Sequence, residues 1–267
     1  MAISAHYITV KGIKIFYETN NGPTDKPTIV CLHTAGRDTR QYHWMMDIFE
    51  DKYRMVAFDM PAHGKSWPLP GNKAISNCKE YGDFAWEIIK ALKIENPVVI
   101  GCSVGGNMVY YLAQNYPIHA ICSMQGADYT PNVNKDMLEL LNHPYISVQH
   151  SHIDFSDSLI GKNANPEGRE FIMWGVAQEC AITKQADLGL YNDFDVRETM
   201  NKIYCPVLVI HGSDDWGVFE DSVKATIARM TSAKKLVHKS LPNIGHFPIV
   251  EKPELVCTVL DEFLSSI

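Results

Sequence analysis

Short runs of consecutive apolar residues alternate along most of the chain with longer stretches in which apolar positions recur every three to four residues. The short runs are typical of strands buried on both faces, and the longer stretches are typical of amphipathic helices. Strands that alternate with helices in this way predict an α/β fold with a mostly parallel sheet and helices on both faces. The predicted buried strands are 28–32, 54–58, 98–100, 120–124 and 206–210.

Two parts of the chain depart from this rhythm. Residues 7–10 and 13–17 alternate between apolar and polar positions around a Lys-Gly turn, which predicts two more strands before the repeating units begin. Between about 128 and 201 the pattern contains no convincing buried strand, and the helical candidates there are 137–141, 169–177 and 183–191. We therefore expect one core domain made of residues 1–128 and 201–267, with an inserted helical cap at 129–200.

Composition narrows the class of protein without naming a function. A chain of 267 residues that is 46% hydrophobic can bury the core of one large domain. Its net charge of −7 comes without a long run of either sign, which argues against a nucleic-acid face and a membrane partner. The first six residues lack the pattern of a signal peptide, so a cytoplasmic protein is expected. The seven scattered cysteines contain no CxxC pair and indicate buried free thiols.

A G-x-S-x-G pattern centred on Ser103 is the first candidate for chemistry. Glycines flanking a serine are common in ordinary tight turns, so the pattern alone is weak. Here an apolar strand ends directly before Gly101, and an amphipathic helix follows Gly105. A strand, a sharp turn and a helix form the context of a nucleophile elbow, which predicts that Ser103 is exposed to a substrate as a nucleophile.

A serine hydroxyl needs a base to remove its proton and a carboxylate to orient that base. His246 lies in a loop just before the last predicted helix. Three carboxylates are candidates for its partner: Asp214 and Asp215 follow the strand at 206–210, and Asp128 follows the strand at 120–124. Serine, aspartate and histidine in this chain order are the arrangement of the α/β-hydrolases.

Five ordered motifs make the whole chain resemble the α/β-hydrolase superfamily. They are the His33-Thr34-Ala35-Gly36 loop, the turn at 58–66, the elbow at 101–105, the Gly212 to Asp215 pattern, and Gly245-His246 with Glu251 and Pro253. The resemblance implies the α/β-hydrolase fold, with a cap after the sixth strand. It also favours Asp215 over the two other acids, and it implies an oxyanion hole formed by the backbone N–H groups of Ala35 and Val104. Thr34 and Ala62 stand where the superfamily usually has glycine.

Several other cysteine, histidine and arginine side chains could in principle take part in chemistry. Cys102 adjoins the serine but is one position out of register with the elbow, so a buried thiol is expected. His150, His152 and Asp154 would share a face on an extended strand, which makes a metal-dependent hydrolase the rival enzyme class. Arg37 and Arg40 would suit a substrate carboxylate, although pairing with a neighbour such as Asp38 is more usual. His33 and His63 are expected to have structural hydrogen-bonding roles.

The expected activity is a serine hydrolase that cleaves an ester, thioester or lactone of a partly apolar acyl compound, without metal or cofactor. Thr34, Tyr145 and Trp174 are the candidate substrate-binding residues. The alternatives on the same scaffold are hydrolysis of a C–C bond in a diketone-like compound, ligand sensing, and cofactor-free dioxygenase or lyase chemistry with His246 as the base. The expected partner is a small molecule rather than nucleic acid or membrane, and a homodimer stays open.

Overall fold

A computed structural model describes residues 3–130 and 148–267. Its eight strands form one sheet in the order β1-β2-β4-β3-β5-β6-β7-β8. The first two strands are antiparallel to their neighbours, and β3 to β8 are parallel to one another. The strands are β1 Ser4–Val10, β2 Ile13–Thr19, β3 Ile29–Leu32, β4 Met55–Phe58, β5 Val98–Cys102, β6 Ala120–Met124, β7 Val207–Gly212 and β8 Leu236–Leu241.

The helices described by the structure connect these strands on both sides of the sheet. They are α1 His43–Ile48, α2 Cys78–Ala91, α3 Val104–Asn115, α4 Val148–Ser158, α5 Pro166–Ala177, α6 Ala181–Asn192, α7 Glu220–Arg229, α8 Pro248–Glu251 and α9 Pro253–Leu264. Short 3-10 helices precede α1 and β7, at Thr39–Tyr42 and Arg197–Lys202. In the described part of the chain, no helix has both the length and the apolar character needed to cross a membrane.

Successive residues of the central strands bury their side chains in two different hydrophobic clusters. In β5, Val99 packs on one face with α2, α3 and α7, whereas Val98 and Ile100 pack on the other face with α1 and α9. This alternation follows from the pleat of a strand, which directs neighbouring side chains to opposite faces. The apolar runs in the sequence are continuous because both faces of the sheet are covered. The predicted α/β class, with a mostly parallel sheet and helices on both faces, is confirmed.

Most predicted elements occur within a few residues of their expected positions, and the last helix begins and ends as predicted. Helix α4 is the main addition, because residues 148–158 contain serine, histidine and aspartate, whose helix propensity is low. The candidate helix at 137–141 lies outside the described residues. Helices α4 to α6 fall within the segment 129–200, where a cap is expected; the boundaries of that cap stay a prediction.

Candidate active site

Ser103 occupies the turn between the end of β5 and the start of α3. Its backbone has φ 57° and ψ −121°, a region that residues other than glycine rarely adopt and that costs about 1 to 3 kcal/mol. Glycine is required on both sides, since a Cβ at Gly101 would lie 2.2 Å from the Gly105 carbonyl oxygen, and a Cβ at Gly105 would lie 2.4 Å from the Leu32 carbonyl oxygen. The turn therefore has the strained strand-to-helix geometry predicted for an elbow.

His246 and Asp215 meet at the carboxyl end of the sheet. Asp215 follows β7, and His246 lies in the loop between β8 and α8. The His246 Nδ1 lies 2.7 Å from Asp215 Oδ2, and both side chains are buried. When Nδ1–H donates to the carboxylate, Nε2 is left as the acceptor on the other side of the ring. This tautomer is the one that a general base requires.

The two other candidate acids have different partners. Asp214 accepts a hydrogen bond from the Lys162 backbone N–H, at 3.1 Å from its Oδ2. Asp128 is fully buried, accepts a hydrogen bond from the Thr226 hydroxyl at 3.0 Å, and pairs with Arg229 at 2.9 Å. Among the carboxylates of the described residues, Asp215 is the one that contacts the His246 ring.

Opposing effects act on the pKa of His246. Burial opposes the charge on the imidazole, but the Asp215 carboxylate, with a smaller contribution from Glu251, outweighs it and raises the pKa above its ordinary value. The positive charge of Arg37 acts in the opposite direction. Cys102 contacts the same loop, because its thiol donates to the His246 carbonyl oxygen at 3.2 Å. Burial raises the pKa of this thiol well above its ordinary value, so Cys102 is a poor thiolate nucleophile.

Gln125 is a site residue that the sequence prediction missed. It follows β6, has φ 48°, and is fully buried. Its Nε2 donates to Asp215 Oδ2 at 2.6 Å and to the Gly245 carbonyl oxygen at 3.1 Å, while its Oε1 accepts from the Gly212 N–H at 2.8 Å. The amide thus binds the acid and the loops that carry both Asp215 and His246, which makes Gln125 a positioning residue.

Replacing Gln125 by alanine is expected to lower kcat with little change in KM. Loss of a buried hydrogen-bond partner costs about 1 to 3 kcal/mol, which is about a 5- to 150-fold decrease in rate. Gln114→Ala is the matched control, because Gln114 on α3 bonds Thr199 and Met200 instead of the candidate site. Steady-state kinetics on a p-nitrophenyl ester measure both variants. An equal loss in the two, or a loss in KM alone, would contradict the positioning role.

Glu251 fixes the backbone of the loop that carries His246. Its fully buried carboxylate accepts N–H groups from Gly245 at 2.8 Å, Phe247 at 3.0 Å and Gly161 at 3.0 Å. Burial raises the pKa of Glu251 above its ordinary value, although these three donors act against the shift. The Gly161 bond also ties the segment after α4 to this loop, so the two segments meet beside His246.

The loop at residues 33–36, called here the His33 loop, lies where the oxyanion hole is predicted. The Gly36 N–H donates to Asp187 Oδ2 of helix α6 at 2.7 Å. The Thr34 hydroxyl and N–H both point to Gln41 Oε1, at 3.0 and 3.3 Å, so the unusual threonine is held by a side chain of the core. Val104 is the first residue of α3, where an N–H has no acceptor within its own helix. The roles of Ala35 and Val104 in the hole stay predictions.

His33 and His63 form the structural hydrogen bonds that the sequence predicts. His33 Nδ1 lies 2.9 Å from the Thr34 carbonyl oxygen, and its Nε2 accepts from the Met60 N–H at 3.2 Å. Burial and the neighbouring His63 lower the pKa of His33 to about 4. Burial also opposes charge on His63, but Asp187, 2.9 Å from its Nε2, raises the pKa of that ring.

The roles of Trp174 and Tyr145 in substrate binding stay predictions. Trp174 is 45% exposed on α5, where it stacks over the Arg40 guanidinium 4.3 Å from the ring centre. Arg40 itself pairs with Asp38, its Nε lying 2.8 Å from Oδ1, as expected for a surface arginine. Tyr145 lies outside the described residues.

The residues of the rival metal site do not lie on the extended strand that this alternative requires. Residues 150–154 belong to helix α4 rather than to an extended strand, so alternate residues do not share one face. The His152 Nδ1 instead lies 3.3 Å from Glu179 Oε2. Across residues 3–130 and 148–267, no group of three His, Cys, Asp or Glu side chains is arranged to hold a metal ion.

Comparison with known proteins confirms the predicted α/β-hydrolase fold. A family model for the alpha/beta hydrolase fold matches residues 27–141. The chain is 28% identical to 3-oxoadipate enol-lactonase 1 of Acinetobacter baylyi over 73% of its own length and 74% of that protein. It is 24% identical to a bifunctional esterase/perhydrolase of Acinetobacter calcoaceticus, over 89% and 92% of the two chains. The enol-lactonase structure from Burkholderia xenovorans superposes with a TM-score of 0.84 at 18% identity, over 97% of this chain and 100% of the other.

Proposed function

We propose that this chain, a member of the α/β-hydrolase superfamily, is a serine hydrolase that uses Ser103, His246 and Asp215 as a catalytic triad. The observation that carries the proposal is the 2.7 Å hydrogen bond from the buried His246 to Asp215, at the same sheet edge as the strained Ser103 turn. A buried imidazole oriented by a carboxylate also occurs at His63 and Asp187, so the pair alone does not indicate catalysis. What supports a catalytic base at His246 is that its carboxylate-bound ring lies at the sheet edge that also carries the strained serine turn.

The reaction proceeds in two halves. His246 Nε2 removes the Ser103 hydroxyl proton as Oγ attacks the carbonyl carbon, and the backbone N–H groups of Ala35 and Val104 stabilise the oxyanion. The protonated His246 then gives its proton to the leaving alcohol, thiol or ring oxygen, which departs and leaves an acyl-enzyme. Water attacks the acyl carbon with His246 again as the base, and the acid is released as Ser103 regains its proton.

Esters and lactones are the favoured substrates within this chemistry. Two relatives carry the names of an enol-lactonase and an esterase, and both align with most of this chain. A panel of p-nitrophenyl esters, simple lactones and a diketone tests the bond type directly, with product release followed over many turnovers. Repeated turnover of the esters or lactones supports the proposal. Binding of one equivalent without turnover would indicate a ligand sensor instead, and oxygen consumption that survives loss of Ser103 would indicate dioxygenase chemistry.

The pH profile of kcat/KM should rise with pH through an apparent pKa above 6.5, the ordinary value of histidine. The reason is that His246 accepts a proton only when neutral, and the Asp215 carboxylate raises its pKa, so activity is lost as the pH falls through that raised value. Rates with a p-nitrophenyl ester between pH 5 and about 9 measure this limb. A limb at or below 6.5 would contradict the influence assigned to Asp215.

A further inference from the structure

Lysine 184 is a buried charge that the proposed reaction does not use. Lys184 lies on α6, only 2% of it is exposed, and its Nζ makes no hydrogen bond to any of the residues that the structure describes. We propose that Lys184 binds a carboxylate group of the substrate, next to the His33 loop. This inference rests on the proposed function and deepens it, because it defines the substrate as an ester or lactone that carries a free carboxylate.

The position of Lys184 follows from its neighbour on the helix. Asp187 is three residues further along α6, and residues at this spacing lie on the same face. Asp187 contacts the Gly36 N–H at 2.7 Å, so this face of α6 lies against the His33 loop. Lys184 is therefore directed toward the core at the loop that is expected to hold the oxyanion.

The other charges in this region have partners. Glu179 lies 3.9 Å from Arg37 Nη1 and 3.3 Å from His152 Nδ1, so one carboxylate faces two basic groups. Asp187 faces His63 at 2.9 Å. After these pairs, Lys184 is left as a positive charge without a matching carboxylate among the described residues, and His152 Nε2 is a second buried nitrogen without a partner there. Arg37, Glu179, His152 and Lys184 are called here the basic cluster.

A buried ammonium group without a partner is costly, because it has lost its hydration without gaining a counter-charge. Burial accordingly lowers the pKa of Lys184 to about 8, with Arg37 acting in the same direction and Glu179 against it. At neutral pH most molecules therefore still carry a positive charge on Lys184. A ligand that supplies one negative charge would relieve this cost, and a single unmatched cation suits a carboxylate better than a phosphate dianion.

The basic cluster is close to the reacting groups. The charge of Arg37 opposes protonation of His246, and Arg37 directly follows Gly36 of the His33 loop. A cavity of about 250 Å³ lies where this loop meets α5 and α6, with Arg37, Gly175 and Thr183 among its lining residues. Thr183 precedes Lys184 in the helix. Neither Ser103 nor Lys184 is among the residues that line this cavity. A carboxylate site at Lys184 therefore requires a substrate whose carbonyl lies at Ser103 and whose carboxylate reaches past the His33 loop to Lys184.

Matched substrates test the inference kinetically. p-Nitrophenyl hemiesters of succinate, glutarate and adipate are compared with neutral p-nitrophenyl esters of the same acyl length. For the best-fitting length, kcat/KM should favour the hemiester at least tenfold, and Lys184→Met should reduce that ratio at least tenfold. Lys184→Arg should keep the preference, and Lys224→Met, on the exposed face of α7 and paired with Glu220, should not change it. A neutral ester that matches or exceeds the hemiester for every length would overturn the inference.

Binding provides a measurement that does not need turnover. In the Ser103→Ala protein, glutarate should raise the thermal midpoint in a concentration-dependent way, and Lys184→Met in that background should remove the effect. Equal stabilisation by inorganic phosphate, or none by any of the dicarboxylates, would refute a carboxylate site. Failure of the proposed function has a different signature, namely ester hydrolysis that persists in Ser103→Ala. The carboxylate site at Lys184 and the serine hydrolase function can therefore be refuted separately.

Discussion

Ser103→Ala is expected to lower kcat/KM for p-nitrophenyl acetate at least about 10⁴-fold, because the variant lacks the oxygen that would attack the carbonyl. The variant should also resist labelling by a fluorophosphonate probe, which reacts with an activated serine. Alanine has no hydroxyl but keeps the Cβ, so the turn at φ 57° should be retained. Intact-mass measurement of probe adducts and initial-rate kinetics give independent readouts.

The matched control is Ser123→Ala. Ser123 lies on the adjacent strand β6, is fully buried, and its hydroxyl donates to the Gly106 carbonyl oxygen at 2.9 Å. This variant should lose some stability and still react with the probe at Ser103. If Ser103→Ala hydrolysed the ester as fast as the parent protein, Ser103 would not be the nucleophile. The alternatives in which His246 acts as a base without a covalent intermediate would then be favoured.

Asp215→Asn should lower kcat about 10⁴-fold while leaving the overall structure intact. An amide at this position no longer stabilises the imidazolium that forms in the transition state, and its NH₂ group favours the His246 tautomer with the proton on the wrong nitrogen. The variant should also shift the pH limb of kcat/KM to lower pH, since the carboxylate is what raises the pKa of His246. Initial rates measured across pH test both statements.

Asp214→Asn is the control that separates the neighbouring acids. Asp214 sits next to Asp215 in sequence, but its Oδ2 accepts only a backbone N–H from Lys162, at 3.1 Å. Its replacement should change kcat by less than about threefold, as is usual for substitutions at the surface. If the loss followed Asp214 instead of Asp215, the 2.7 Å contact between Asp215 and His246 would be structural rather than catalytic.

Local patterns were enough to predict the parts of the site that depend on local backbone. The Ser103 turn needs small residues on both sides and a strand before it, and all of these are visible in adjacent positions of the chain. Asp215 and His246 each follow a strand, and parallel strands end at one edge. Their meeting was therefore predictable, although the contact itself is a property of the folded chain.

Gln125 shows where this kind of prediction stops. Its three partners come from segments that are 87 to 120 residues away, so no spacing in the sequence announces them. The only signal is its position directly after β6, the strand whose end led us to weigh Asp128 as an acid. At His152 a local pattern was present but misleading. The alternating residues that indicated an extended strand lie within helix α4.

The hydrogen bond from Gly36 to Asp187 has a kinetic consequence. It joins the predicted oxyanion-binding loop to α6, so displacement of the helix would remove one of the contacts that hold this loop, beside those from Gln41 to Thr34. A bulky substrate that displaces α6 could still bind in the active site. Its oxyanion would then lie in a distorted oxyanion hole, and it would react slowly. Discrimination by size would then appear in the turnover number instead of the Michaelis constant, and poor substrates would act as competitive inhibitors of good ones.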